Sequence, residues 1–261
     1  MNIHTAKQLK AFLRAAADAP ERLLLLDYDG TLADFRVDRF KAKPWAGVNE
    51  LLKQIQRRRR TRIVAITGRP PEEVAAMLHL HEPIEVWGLH GALRLNTNGS
   101  RELEKQSPEV KNALSALRNQ LHRDALGGLF EDKPNAAVMH WRGHAPAKAK
   151  EIEKRTRALF EPLARIEGLR LLKFESGLEL RTGRDKGGAI EQIIREGKRG
   201  AAVTYLGDDW TDEPGFEAVN AAKGPHLSVL VKREKRETVA DVWLKPPHEL
   251  REFLRLWLEM E

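Results

Sequence analysis

Two aspartates close one apolar run in this chain, Asp27 and Asp29, with Gly30 directly after them. A second apolar run ends at Thr67-Gly68-Arg69, and a third at Gly207-Asp208-Asp209. Between them in sequence, Lys186 opens a helical stretch. Carboxylates gathered without cysteine or clustered histidine suit a hard divalent cation, magnesium above all. Gly30 lets backbone approach a ligand closely. Thr67 and the Gly68 amide precede a helix start, where amide groups cradle phosphate. These residue types together can move a phosphoryl group. Asp27 would attack phosphorus and carry it as an aspartyl phosphate. Asp29 would protonate the leaving oxygen and then activate water. Magnesium, Thr67 and Lys186 would balance the charge on the transferring oxygens.

Such residues meet only if the elements carrying them end at one place. Residues 23–27, 62–67 and 201–206 are continuous apolar runs, which suit strands buried on both faces of a parallel sheet. A fourth such strand is predicted over 228–231, and helices over 5–17, 48–60, 186–196 and 247–260. Pro70-Pro71 followed by Glu72 and Glu73 marks another helix start. Short strands are expected within 84–95, closed by a turn at Asn96-Thr97-Asn98-Gly99. In open parallel sheets, ligands bind outside the carboxyl edge of the strands. The rhythm changes between residues 104 and 182. Helices are expected there over 108–124 and 146–164, a strand over 136–141 and a strand pair over 169–181. The fold class read from this pattern is α/β. A doubly wound, mostly parallel sheet spans 1–103 and 183–261, and a smaller α+β cap is inserted at 104–182.

The run Leu25-Leu26-Asp27-Tyr28-Asp29-Gly30-Thr31-Leu32 resembles the first motif of haloacid-dehalogenase-like (HAD) phosphatases. Thr67-Gly68-Arg69, Lys186 and Gly207-Asp208-Asp209 resemble the second, third and fourth, in the same order. Within that superfamily, GDDWTDEPGF at 207–216 is similar to the GDDxTDEDxF run of trehalose-6-phosphate phosphatases. GLHGALR at 88–94, EDKPNAAVMHWR at 131–142 and ELR at 179–181 resemble further elements of that family. The resemblance implies that Asp27 is the nucleophile and Asp29 the acid and base. It implies magnesium held by Asp27, the backbone carbonyl of Asp29, and Asp208, with Asp209 and Asp212 orienting water or Lys186. It implies that the inserted module recognises the sugar through Glu131, Lys133 and Glu179. Gly68, Arg69 and His90 are expected on the substrate, against plainer readings of Arg69 as a surface charge and His90 as a packed ring. Leu93, Thr182 and Pro214 stand where the family has Glu, Pro and Asp. Leu93 and Thr182 lie beside sugar-recognition elements, so another sugar phosphate, such as sucrose phosphate or a glycosyl phosphoglycerate, stays open as substrate.

Composition bounds the remaining possibilities. The 261 residues carry 45 Lys and Arg against 38 Asp and Glu, a formal charge of +7. That balance admits anionic partners from nucleic acid to sugar phosphates. The most basic run, Arg57 to Arg60, falls at a predicted helix C-terminus, where cations complement the dipole. No aromatic residues interleave it, so no nucleic-acid partner is expected. A basic binding protein with a vestigial site is the reading from a different functional class, and the intact set of Asp27, Asp29, Thr67, Lys186 and Asp208 argues against it. Cysteine is absent, which excludes thiol catalysis. No run approaches the length of a membrane span. A cytoplasmic monomer acting on a phosphorylated disaccharide is expected, with a trehalose-6-phosphate synthase as the partner the resemblance suggests.

Overall fold

The computed structural model describes residues 3–36, 38–123, 127–174 and 176–260. Two compact units emerge, one made of Met1–Leu103 and Arg184–Glu261, the other of Glu104–Gly183. Gly183 falls in the second unit, where its amide donates to the Gly168 carbonyl at 3.2 Å. Its φ is +85°, and a Cβ there would collide with the Glu104 carboxylate.

The first unit is built on β1 (Arg22–Leu26), β2 (Thr61–Ile66), β3 (Glu85–Gly88), β4 (Leu93–Leu95) and β5 (Arg101–Leu103), with β10 (Ala202–Gly207), β11 (His226–Val231) and β12 (Val242–Leu244). They form one sheet in the order β12-β11-β10-β1-β2-β3-β4-β5. The strands from β12 to β3 are parallel, and β4 and β5 are antiparallel additions. Helices α1 (Ile3–Ala17), α2 (Val48–Arg58), α3 (Pro71–Leu78), α6 (Lys186–Glu196), α7 (Glu213–Asn220) and α8 (His248–Glu259) flank it. All four leucines of 23–26 are buried, and they alternate between two apolar clusters, Leu24 and Leu26 in one, Leu23 and Leu25 in the other. A continuous apolar run is what two covered sheet faces require.

The second unit holds α4 (Pro108–Arg123), β6 (Phe130–Lys133), β7 (Ala136–His140), α5 (Pro146–Leu163), β8 (Leu169–Phe174) and β9 (Gly177–Thr182). Its antiparallel sheet has the order β6-β7-β9-β8. Ala137, Met139, Leu178 and Leu180 pack on Leu114, Leu117, Ile152 and Phe160 of the two helices.

Three strands went unread in the sequence. Of these, β5 and β6 carry charged residues without clean alternation, and β12 is three residues long. Such strands form because a neighbour offers its ladder. Helix α2 also stops two residues short of the expected 60. Arg59 turns left-handed with φ 59° and its amide caps Gln56, so the chain can enter β2 at Thr61.

Candidate active site

Strand register sets the site. Leu26 lies opposite Leu206 on one side and Ala65 on the other, all parallel. The residues that follow β1, β2 and β10 therefore emerge along one edge. These are Asp27 and Asp29, Thr67 to Arg69, and Asp208 with Asp209. The Asp27 amide is held by the Leu206 carbonyl at 2.9 Å. Lys186 arrives as the first residue of α6, whose N-cap Asp185 accepts from the Gly188 amide.

Lys186 Nζ donates to Asp27 Oδ1 at 2.7 Å and to Asp212 Oδ1 at 2.6 Å. All three residues are buried. Asp212 Oδ1 also accepts from the Tyr205 hydroxyl. Its Oδ2 accepts the amides of Asp208 at 2.8 Å and Asp209 at 3.0 Å. Asp209 in turn accepts from the Thr211 amide and hydroxyl, which closes a capping box with Asp212. Asp212 thus ties Lys186 to the Asp208 loop, while Asp209 shapes the turn that presents Asp212.

Burial pushes Asp27 well above the ordinary carboxylate range, with Asp212 and Asp208 adding to the rise and Lys186 opposing it. Burial works against the charge on Lys186, but Asp212 and Asp27 outweigh it and hold the ammonium charged. Asp212 is lowered, because Lys186, Tyr205 and the amide bonds overcome its burial. Burial, Asp212 and Asp209 push Asp208 up to about 7.

A cation fits this set. Carboxylate oxygens of Asp27, Asp208 and Asp212 lie within 4.8 Å of one another. Against three carboxylates stand the buried Lys186 ammonium and the more exposed Lys232 at 3.5 Å from Asp208, which still leaves a deficit of positive charge. The Asp208 carboxylate lies over Gly30, whose φ is +82° and where any Cβ would collide with it. With the Asp212 oxygens engaged by Lys186, Tyr205 and two amides, Asp27 and Asp208 are the carboxylates best able to hold a metal.

The Thr67 loop is zipped to the turn after β3. Thr67 donates its amide to Trp87 O at 2.8 Å and accepts the His90 amide on its own carbonyl at 2.8 Å. Leu89 and His90 take left-handed φ of 51° and 58°, an uncommon choice outside glycine that marks a constrained turn. The turn lays the His90 imidazole against Gly68, where a Cβ would come within 2.7 Å of the ring. Arg69 is not a surface charge. It is buried, and it pairs with both oxygens of Asp29.

Glu131, Lys133 and Glu179 belong to the second unit, where they form a group of their own. Glu131 and Lys133 are two apart on β6, and Glu131 and Glu179 both register with Val138. Lys133 Nζ lies 4.0 Å from Glu131 and 3.8 Å from Glu179. His140 joins them at 2.9 Å from Glu131.

Sequence reasoning missed three participants. Tyr205 is a hydroxyl inside the apolar run of β10. Lys232 follows β11 and reaches the Asp208 carbonyl at 3.3 Å and Oδ2 at 3.5 Å. Arg236 holds the carbonyls of Asp208 and Asp209 at 3.3 and 2.6 Å. The carboxyl-edge rule, extended to the fourth strand, finds Lys232.

The sequence profile of the trehalose-phosphatase family matches residues 25–245. The chain belongs to this family. A probable trehalose-phosphate phosphatase of Oryza sativa subsp. japonica is 28% identical, over 92% of this chain and 70% of its own length. A trehalose-phosphate phosphatase of Mycolicibacterium paratuberculosis is 27% identical, and the chain spans only 60% of it. A trehalose-6-phosphate phosphatase-related protein of Thermoplasma acidophilum is 30% identical over 91% of this chain and 97% of its own. In fold, an Aspergillus fumigatus trehalose-6-phosphate phosphatase structure superposes with a TM-score of 0.73, covering 98% of both chains at 24% identity. Trehalose-phosphatases are phosphoric monoester hydrolases, and the edge described above is where this member concentrates its buried charge. Pro214, a departure from the family run, sits in the first turn of α7, where its missing amide costs nothing.

Proposed function

We propose that the chain hydrolyses trehalose 6-phosphate to trehalose and inorganic phosphate through a phosphorylated Asp27. The observation that carries this reading is the buried hydrogen-bond chain Asp27–Lys186–Asp212 beside Asp208, at the carboxyl ends of parallel strands. A carboxylate oxygen of Asp27 attacks phosphorus, and the phosphorus–oxygen bond to the sugar breaks. The electron pair leaves on the sugar oxygen, which takes a proton from Asp29. Asp29 then removes a proton from water as that water attacks the phosphoryl group, freeing Asp27 and phosphate. Lys186 stays charged throughout and orients Asp27 while drawing charge from the phosphoryl oxygens. Thr67 and the Gly68 amide, on the loop that runs from β2 to α3, receive those oxygens. Magnesium, when bound by Asp27, Asp208 and the Asp29 carbonyl, supplies Lewis-acid stabilisation of the transferring group. Glu131, Lys133 and Glu179 supply charge-assisted hydrogen bonds to sugar hydroxyls.

Phosphate release from a panel of phosphorylated sugars, with magnesium or with EDTA, tests this. Trehalose 6-phosphate is expected to lead the panel, EDTA to stop turnover and Asp27→Asn to abolish it. Preference of about a hundredfold for sucrose phosphate or a glycosyl phosphoglycerate would overturn the substrate while keeping the chemistry. Full turnover in Asp27→Asn would overturn the chemistry.

A further inference from the structure

We infer that Arg69 is a positioning residue, whose guanidinium sets the plane of the Asp29 carboxylate for proton transfer at the leaving oxygen. The inference rests on the reading of Asp29 as acid and base. Arg69 Nε donates to Asp29 Oδ2 at 2.6 Å and Nη2 to Oδ1 at 2.5 Å. This is the side-on, two-point pairing that a rigid guanidinium offers a carboxylate and an ammonium does not. Each carboxylate oxygen has two acceptor directions. The fork uses one on each oxygen and leaves the other for a leaving oxygen or a water.

Arg69 is itself held on several sides. Its amide donates to Thr67 Oγ1 at 3.1 Å, and its carbonyl accepts the Leu89 amide at 3.0 Å. The guanidinium carbon lies 5.3 Å from the centre of the Tyr28 ring. That ring is fully buried and pinned by its hydroxyl to the Ala42 carbonyl at 2.6 Å. Nη1 lies 3.5 Å from Met77 Sδ and 4.0 Å from Glu73. The side chain is 7% exposed and that of Asp29 30%. A half-open carboxylate on a glycine-flanked turn would otherwise rotate freely. Arg69 ties it to the β2 loop and to α3, both of which belong to the phosphate-receiving wall. Misplacement of a proton donor by about 1 Å costs on the order of a hundredfold in rate.

Leaving groups differ in their need for that proton, and kcat/KM reports only the steps through the departure of the leaving group. The experiment compares kcat/KM for trehalose 6-phosphate and for p-nitrophenyl phosphate, whose phenolate leaves without a proton. The proteins are wild type, Arg69→Met, Arg69→Lys, Asp29→Asn and the double variant Asp29→Asn/Arg69→Met, each checked by thermal melting. Both Arg69 variants are expected to lose about a hundredfold on the sugar phosphate, mainly in kcat, and less than about tenfold on the aryl phosphate. The double variant should be no worse than Asp29→Asn. In a further variant, Arg69→Ala, checked by melting in the same way, added guanidinium should restore sugar-phosphate turnover, an effect that a merely structural role would not produce. Equal losses on both substrates, a loss confined to KM, or additivity with Asp29→Asn would overturn the inference. If Asp29→Asn itself fails to discriminate between the two leaving groups, the acid–base reading falls instead, and the two failures are told apart.

Discussion

The carboxyl edge of the parallel sheet and the antiparallel sheet of the inserted unit handle charge in opposite ways. At the edge, Lys186 and Asp27 are each 4% exposed and Asp212 is fully buried, joined at 2.6–2.7 Å. On the inserted sheet, Lys133 is 28% and Glu131 45% exposed, and Lys133 Nζ stands 4.0 Å from Glu131 and 3.8 Å from Glu179. A buried charge must be matched by fixed partners, so the edge is rigid by electrostatic necessity. A half-exposed charge keeps its water and its rotamers and is able to adapt to hydroxyls. The proposed phosphoryl transfer, which needs atoms held in place, would use the first environment, and the proposed recognition of a flexible disaccharide the second.

Breaking the edge should have the largest effect. Lys186→Met leaves Asp27 and Asp212 facing each other without a cation. We expect a loss of about 3–5 kcal/mol in stability, read by denaturant titration, together with the loss of phosphatase activity. Tyr205→Phe removes one donor to a buried carboxylate, so about 1–3 kcal/mol should go while kcat changes little. The pH dependence sharpens the same contrast. With Asp208 raised to about 7, the folded state holds a proton there that the unfolded chain has released above the ordinary carboxylate range. Metal-free stability should therefore fall as pH rises from about 4 to about 7. Magnesium must displace that proton, so its affinity, measured by calorimetry, should rise up to about tenfold per pH unit and level off above about 7. On the inserted sheet, Glu131→Gln and Glu179→Gln should each raise KM by about tenfold, and Glu131→Gln, at the more exposed carboxylate, should shift stability by less than about 0.5 kcal/mol.

The same contrast governs what the sequence discloses. Asp27, Thr67 and Asp208 were legible because apolar runs announce buried strands and the first polar residue after each marks the edge. Lys186 was legible as a helix start between two such runs. The pairing of Arg69 with Asp29 was not, because 40 residues separate them and only the β1–β2 register brings them together. Tyr205 was hidden by its own strand, since an aromatic residue in an apolar run reads as core. Strand β6 was hidden because its residues FEDK look like a solvated loop until β7 pairs with them. Local pattern shows elements and their ends, while partners across the sheet depend on register.

The central claim is that the buried edge makes Asp27 the nucleophile. The most direct measurement mixes enzyme, magnesium and trehalose 6-phosphate, quenches in acid within one turnover and maps the phosphorylated peptide by mass spectrometry. Phosphate on Asp27 that appears before free phosphate, and is absent in Asp27→Asn, is the predicted result. Free phosphate released within that turnover with no covalent label, or a label on another residue, would contradict the account.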